Sequence, residues 1–284
     1  MTGDEGGDRF DAVVLAGGRA SRLGGVPKPT LVVDGATLLE HALAATRDAD
    51  RTVVVGPEPA DAARPSAPAA PVLGARDVVH TREEPAFGGP VAGLDAGLRA
   101  LARGRGARSG GSAGSGGSAG SGGSTGSAGP AGPAPWVLVL AVDVPRADAA
   151  VPRLRAAVAR PDAAGGPDGA FLERDGREQW LVGLYRHDAL RAALDALAGP
   201  RGLHGVPVRR LVAGLSCVRV PDDLGLSVDV DTWDDVRRLT VGVHDDVAGK
   251  ARGGVDENEQ AGRTEGPVPA HPAAPHDPPK GGTR

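Results

Sequence analysis

Short, unbroken apolar runs alternate along this chain with stretches whose apolar positions recur at helical spacing. Ala12–Leu15, Thr52–Val55 and Trp136–Val142 are runs of the kind expected for strands buried on both faces of a sheet. Between them, Thr37-Leu38-Leu39-Glu40 has capping-box form, and Leu39, Ala42, Leu43 and Thr46 then share one face of the helix it opens. Pro90 suits a first helical position, and Val91, Leu94, Leu98 and Leu101 follow at amphipathic spacing. Weaker alternation predicts strands at Leu31–Val33, closed by an Asp34-Gly35 turn, and at Val78–Arg82, Gly169–Glu173, Gln179–Tyr185 and Ser216–Val220. Helices are predicted over about Val151–Ala159 and Asp188–Leu197, with a last one opening at Asp231-Thr232 and carrying Val236 and Leu239. Alternating strands and helices imply a three-layer α/β/α, Rossmann-like architecture with a mainly parallel sheet and right-handed crossovers. Ligands of such sheets sit at the carboxyl ends of the strands.

Composition divides the 284 residues. From Gly104 to Pro135 the chain is almost wholly Gly, Ser, Ala and Pro, a flexible-insert composition with too little apolar surface to offset chain entropy. Residues 1–9 and 244–284 are Gly-, Pro- and charge-rich and are expected to be disordered. The remainder of 10–243, about 200 residues, is enough for one α/β domain interrupted by the 104–135 insert. A net charge of −4 argues against a nucleic-acid partner. Three Trp, three Phe and one Tyr are too scattered for a base-stacking platform on a nucleic-acid strand. The single cysteine, Cys217, fits a reducing compartment and reads as a small strand residue. No apolar run reaches membrane-spanning length and the acidic start is unlike a signal peptide, so no membrane and a cytoplasmic location are expected.

The chemistry concentrates after the first strand, in Val13-Val14-Leu15-Ala16-Gly17-Gly18-Arg19-Ala20-Ser21-Arg22-Leu23-Gly24-Gly25-Val26-Pro27-Lys28. Gly17 and Gly18 let backbone N–H groups turn toward a ligand, and Arg22 and Lys28 bring two cations near the same place. Such a loop suits the polyanionic chain of a nucleoside triphosphate. It matches neither G-x-x-x-x-G-K-[ST] nor G-x-G-x-x-G.

Asp143 follows the most apolar strand, and Pro145 turns the chain away. A carboxylate there projects from the sheet edge, where it suits Mg²⁺ bound to phosphates. A helix cap or a turn is the other reading. Asp229 and Asp231 fall on one side of an extended segment and complete a metal site with Asp143. Equally, Asp231 or Thr232 caps a helix whose first turn holds Asp234 and Asp235. The histidines show no ligand spacing. The insert twice matches G-x-S-x-G, but no strand precedes either copy, which excludes a nucleophile elbow.

The string L-A-G-G-x-x-x-R-x-G-x-x-K resembles the signature of the molybdenum cofactor guanylyltransferase family of NTP transferases. Gly89-Pro90-Val91-Ala92-Gly93, Asp143-Val144-Pro145, the strand Trp180–Tyr185 and Asp229-Val230-Asp231-Thr232 extend the resemblance over most of the foldable chain. The resemblance implies the nucleotidyltransferase fold and transfer of GMP from GTP to molybdopterin, with pyrophosphate released and Mg²⁺ as cofactor. It implies that Leu15, Ala16, Gly17 and Gly18 hold the nucleotide by main chain and that Lys28, with Arg22, meets its phosphates. Asp143 takes the metal, with Glu83 and Gly56 near further nucleotide contacts. Molybdenum cofactor synthesis proteins or target molybdoenzymes are the implied transient partners. Pro27 replaces the common D of D-K, and Asp229-x-Asp231-Thr232 replaces N-x-N-T. Transfer from CTP or to a sugar phosphate therefore stays open, as does a non-catalytic nucleotide-binding module.

Overall fold

A computed structural model describes residues 9–17, 25–57, 77–109, 133–159, 166–200 and 202–240. The chain begins with β1 (Phe10–Leu15), passes a 3₁₀ turn at Lys28–Thr30, and forms β2 (Val32–Val33), β3 (Ala36–Thr37) and α1 (Leu38–Ala45). Then come β4 (Thr52–Val55), β5 (Val78–Thr81), α2 (Pro90–Ser109), β6 (Trp136–Ala141) and α3 (Ala147–Val158). The second half holds β7 (Gly169–Arg174), β8 (Arg177–Arg186), α4 (His187–Leu197), α5 (Val208–Val212) and β9 (Cys217–Pro221). A last helix occupies 233–240. All these elements lie within one unit, Met1–His244.

Seven strands form one sheet in the order β5-β4-β1-β6-β8-β7-β9. Every neighbouring pair is parallel except the two that involve β8, which runs antiparallel to β6 and to β7. The predicted three-layer, mainly parallel sheet is therefore present, with one strand reversed. All six residues of β1 are buried, as a strand covered on both faces requires. Val13 and Leu15 pack with Val53, Val55, Leu94 and Leu98 on the α2 side, while Val14 and Val54 pack with Leu38 and Ala42 of α1 on the other. Leu138 and Leu140 meet Ala150 and Leu154 of α3 on that second side.

Local signals in the sequence locate several elements. Asp34 and Gly35 both take positive φ, 50° and 80°, and close the β2–β3 hairpin as a two-residue turn. The Thr37 hydroxyl accepts from Glu40 N at 3.1 Å while the Glu40 carboxylate accepts from Thr37 N at 2.6 Å, completing the capping box. Gly97 brings α2 against β1, for a Cβ there would lie 2.6 Å from Val13 Cγ1.

The edges of the 104–135 insert differ from expectation. Helix α2 continues through Gly104 and Gly106 to Ser109. Ala134 is buried, its N–H donating to Asp11 Oδ2 at 3.2 Å. Residues 110–132 lie outside the described residues, as do 1–8 and 241–284, which take in all but residue 9 of the ends expected to be disordered at 1–9 and 244–284. Helix α3 starts at Ala147, four residues before the expected start, and α5 was not foreseen. No helix among the described residues is long and apolar enough to cross a membrane.

Candidate active site

Three adjacent parallel strands, β4, β1 and β6, end at a cleft of about 430 Å³. Leu15, Val55 and Gly93 form much of its apolar floor, and Gly17, Lys28 and Asp143 supply polar groups. The expectation that ligands sit at the carboxyl ends of the strands places the cleft here.

Lys28 rises from the 3₁₀ turn into this cleft. Its Nζ donates to Asp143 Oδ2 at 2.7 Å and to Asp231 Oδ1 at 2.5 Å, across 115 and 203 residues of sequence. Burial works against the ammonium, but the two carboxylates outweigh it and raise the Lys28 pKa above its ordinary value. An ammonium carries three donors. Among the described residues two are engaged.

Asp143 is placed by β6, after which Val142 N bonds to Leu15 O at 3.0 Å and ties the two strand ends together. Asp231 is placed by its neighbours. Val230 is fully buried, and its N–H donates to Asp143 O at 2.9 Å. Thr232 then caps the 233–240 helix, its hydroxyl accepting from Asp235 N at 3.2 Å while Asp235 Oδ2 accepts from Thr232 N at 2.7 Å. Thr232 thus caps the helix while Asp231 faces the cleft lysine. Asp229 does not join them. Asp229 is exposed, and no group of three candidate metal ligands forms among the described residues.

The glycine loop shows a division of labour. Ala16 N donates to Val55 O at 2.8 Å, so its N–H is spent on the sheet, whereas Gly17 is exposed and lines the cleft. Gly56 supports this loop from beneath, since a Cβ there would come within 2.8 Å of Ala16 C and 2.9 Å of Gly17 N. It is absent from the cleft wall. Glu83 does line the cleft, and its Oε1 accepts from Phe87 N at 3.1 Å. Gly18 and Arg22 lie outside the described residues. Phe87, unremarked in the sequence, also lines the cleft; its only signal was an aromatic residue among the glycines and prolines before Gly89-Pro90.

Cys217 is on the far part of the sheet. Burial, with Asp168 and Glu178 nearby, pushes its pKa up to about 12, so it holds a protonated thiol at neutral pH and is unsuited to nucleophilic attack.

The profile of the MobA-like NTP transferase domain matches residues 12–218, from β1 through the start of β9. The chain belongs to the MobA-like NTP transferase family. It is 38% identical over 103 residues to a molybdenum cofactor guanylyltransferase of Acidiphilium cryptum, a match covering 36% of this chain and 48% of that relative. To one of Burkholderia cenocepacia it is 42% identical over 90 residues, covering 31% and 41%. The matched region thus spans less than half the length of these relatives. Among solved structures, a nucleotidyl transferase from Methanothermobacter thermautotroptrophicus superposes with a TM-score of 0.52 at 20% identity, covering 84% of this chain and 100% of that one. The 2-C-methyl-D-erythritol 4-phosphate cytidylyltransferase from Thermus thermophilus gives 0.51 at 20%, covering 83% and 99%. These likenesses establish the fold that this family member shares with them.

Proposed function

We propose that this chain is a nucleotidyltransferase that transfers GMP from GTP to molybdopterin and releases pyrophosphate. The observation that carries the reading is the Lys28 ammonium held between Asp143 and Asp231 beside Gly17, at the carboxyl edge of a mainly parallel sheet. The names of the curated relatives supply the nucleotide and the acceptor.

In this reading the terminal phosphate of molybdopterin attacks the α-phosphorus of GTP. A new P–O bond forms, the bond to the β-phosphate oxygen breaks, and pyrophosphate departs. Lys28 offers an N–H to the phosphate chain and stabilises negative charge growing on the leaving group. Gly17 brings exposed backbone close to the phosphates without a side chain in the way. The work of the site is positioning and charge stabilisation, and no covalent nucleophile is needed.

The donor set suits Mg²⁺. Asp143 and Asp231 each bring a carboxylate oxygen within hydrogen-bond distance of one cation, and Mg²⁺ is usually held by one or two carboxylates together with substrate phosphates. When bound there, the ion would neutralise phosphate charge as a Lewis acid. Asp143 and Asp231 are the residues that would hold it.

Pyrophosphate release with GTP or CTP, with and without molybdopterin, tests the proposal. Release that requires both GTP and molybdopterin is expected. Release with CTP instead moves the chain to cytidylyl transfer, and no release with either nucleotide refutes the proposal.

A further inference from the structure

Lys28, Asp143 and Asp231 form a cluster of three charges in which one member is far freer to move than the others. Two ionised carboxylates at such close quarters disfavour each other unless a cation lies between them. Here that cation is the Lys28 ammonium, 2.7 Å from Asp143 Oδ2 and 2.5 Å from Asp231 Oδ1.

Both carboxylates stand on tied backbone. Val142 N donates to Leu15 O at 3.0 Å, one residue before Asp143. Val230 N donates to Asp143 O at 2.9 Å, and Thr232 caps the helix that follows Asp231. The backbone of Lys28 is tied as well. It lies between Pro27 and Pro29, whose rings fix φ, and Pro29 is buried. Thr30 N and Thr30 Oγ1 both donate to Pro27 O, at 3.0 and 2.9 Å, and Leu31 N donates to Lys28 O at 3.1 Å. Freedom therefore resides in the lysine stem, a flexible four-carbon chain on a rigid pivot.

A Mg²⁺ ion held by the same two oxygens would stand about 2.1 Å from each. That point falls almost on the ammonium nitrogen, and like charge forbids two cations there together. We infer that Lys28 is the exchangeable counter-ion of this carboxylate pair. A divalent cation enters between Asp143 and Asp231 as the ammonium swings out, and a phosphate chain gives the displaced ammonium its new partner. The inference rests on the proposed assignment of Mg²⁺ to these two residues. It makes the binding of metal and of triphosphate mutually reinforcing, since each favours the same position of the lysine. In the nucleotide-free chain, Lys28 opposes the bare ion.

The test titrates Mn²⁺, a paramagnetic stand-in for Mg²⁺, into the full chain without nucleotide and reads the free ion by electron paramagnetic resonance. The binding that counts is the part lost in Asp143→Asn. Lys28→Met keeps the length of the side chain and removes its charge, and Lys28→Gln removes the charge but keeps a polar end. Both should bind Mn²⁺ about 5- to 150-fold more tightly than the wild type, the usual range of coupling between two sites. A second reading needs no substitution. The chain has three lysines, Lys28, Lys250 and Lys280. Acylation of Lys28, followed by peptide mass spectrometry with the other two as references, should accelerate as Mn²⁺ saturates the wild-type site. Equal affinity in the wild type and both variants overturns the inference. So does Lys28 acylation that is indifferent to saturating Mn²⁺, and neither result touches nucleotidyl transfer. If none of the chains binds Mn²⁺, the assignment of the metal to Asp143 and Asp231 falls together with the inference, while pyrophosphate release still decides the proposed function.

Discussion

Lys28 and Asp143, 115 residues apart in sequence, meet at 2.7 Å where the first and sixth strands end side by side. The contact joins the glycine-loop segment to the β6 carboxylate, the two features a phosphate-handling cleft needs at one place. Both side chains are about one-fifth exposed, enough shielding to strengthen the pair and enough access for a ligand to compete for it.

Lys28→Ala should lower kcat/KM about 100-fold or more, the magnitude seen when one donor to developing charge is removed. The folded core should persist, because neither partner lies in the buried clusters. Steady-state pyrophosphate release beside a thermal melt checks both halves. A folded variant with wild-type turnover would remove Lys28 from the chemistry.

Asp143→Asn should cost more activity than Asp231→Asn, and should raise the Mg²⁺ concentration needed for half-maximal rate. The reasoning is exposure: the Asp143 side chain is 21% exposed and Asp231 41%, so water more readily substitutes for the latter. Asp229→Asn should change neither quantity, since that residue is exposed and joins no group of three candidate metal ligands among the described residues. Mg²⁺ titrations of the three variants decide; an Asp229 variant as impaired as Asp143 would place the metal elsewhere.

How much of this was legible beforehand depends on the range of each signal. The Thr37–Glu40 capping box, the Asp34-Gly35 turn and Pro90 at the head of α2 are written in adjacent residues and appear where expected. The reversal of β8 is not local, since an apolar run carries no direction. Five-residue α5 is too short to show a period, and α2 runs through Gly104 and Gly106 despite their low helix propensity. At the site, residue types and spacing singled out Lys28, Asp143 and Asp231, but period-two reasoning paired Asp231 with Asp229. Asp231 meets Lys28 while Asp229 lies exposed, a difference set by tertiary packing that a period-two pattern does not carry.

Gly97→Val should destabilise the protein by about 1–3 kcal/mol. The new Cβ would stand 2.6 Å from Val13 Cγ1 and 3.2 Å from Val55 Cγ2, in the layer that seats α2 on β1 and β4. Helix propensity gained over glycine, under about 1 kcal/mol, is too small to compensate. Urea midpoints measure the difference. Equal or greater stability in the variant would mean that α2 rides further from the sheet than described.

Asp222→Ala should destabilise the protein at neutral pH by about 2 kcal/mol, and the deficit should shrink in acid. Asp222 is 5% exposed. Its carboxylate accepts from Leu226 N at 2.7 Å, Ser227 N at 2.8 Å and Ser227 Oγ at 2.6 Å, closing the loop that follows β9. Burial alone would raise its pKa, but the Ser227 hydroxyl, the two amides and the nearby Arg174 overcome burial and hold the pKa below the ordinary carboxylate value. A lowered folded-state pKa means that the unfolded chain takes up the proton first as pH falls. The contribution is therefore complete above the unfolded value of about 3.9 and is lost as pH drops through the lower folded value. Alanine removes the acceptor at every pH, so wild type and variant should differ most at pH 7 and converge below about pH 4. Urea melts at pH 7, 5 and 3.5 provide the comparison. A gap that stays constant over that range would mean that Asp222 acts through packing and that its ionised carboxylate is not what ties Leu226 and Ser227 to the end of β9.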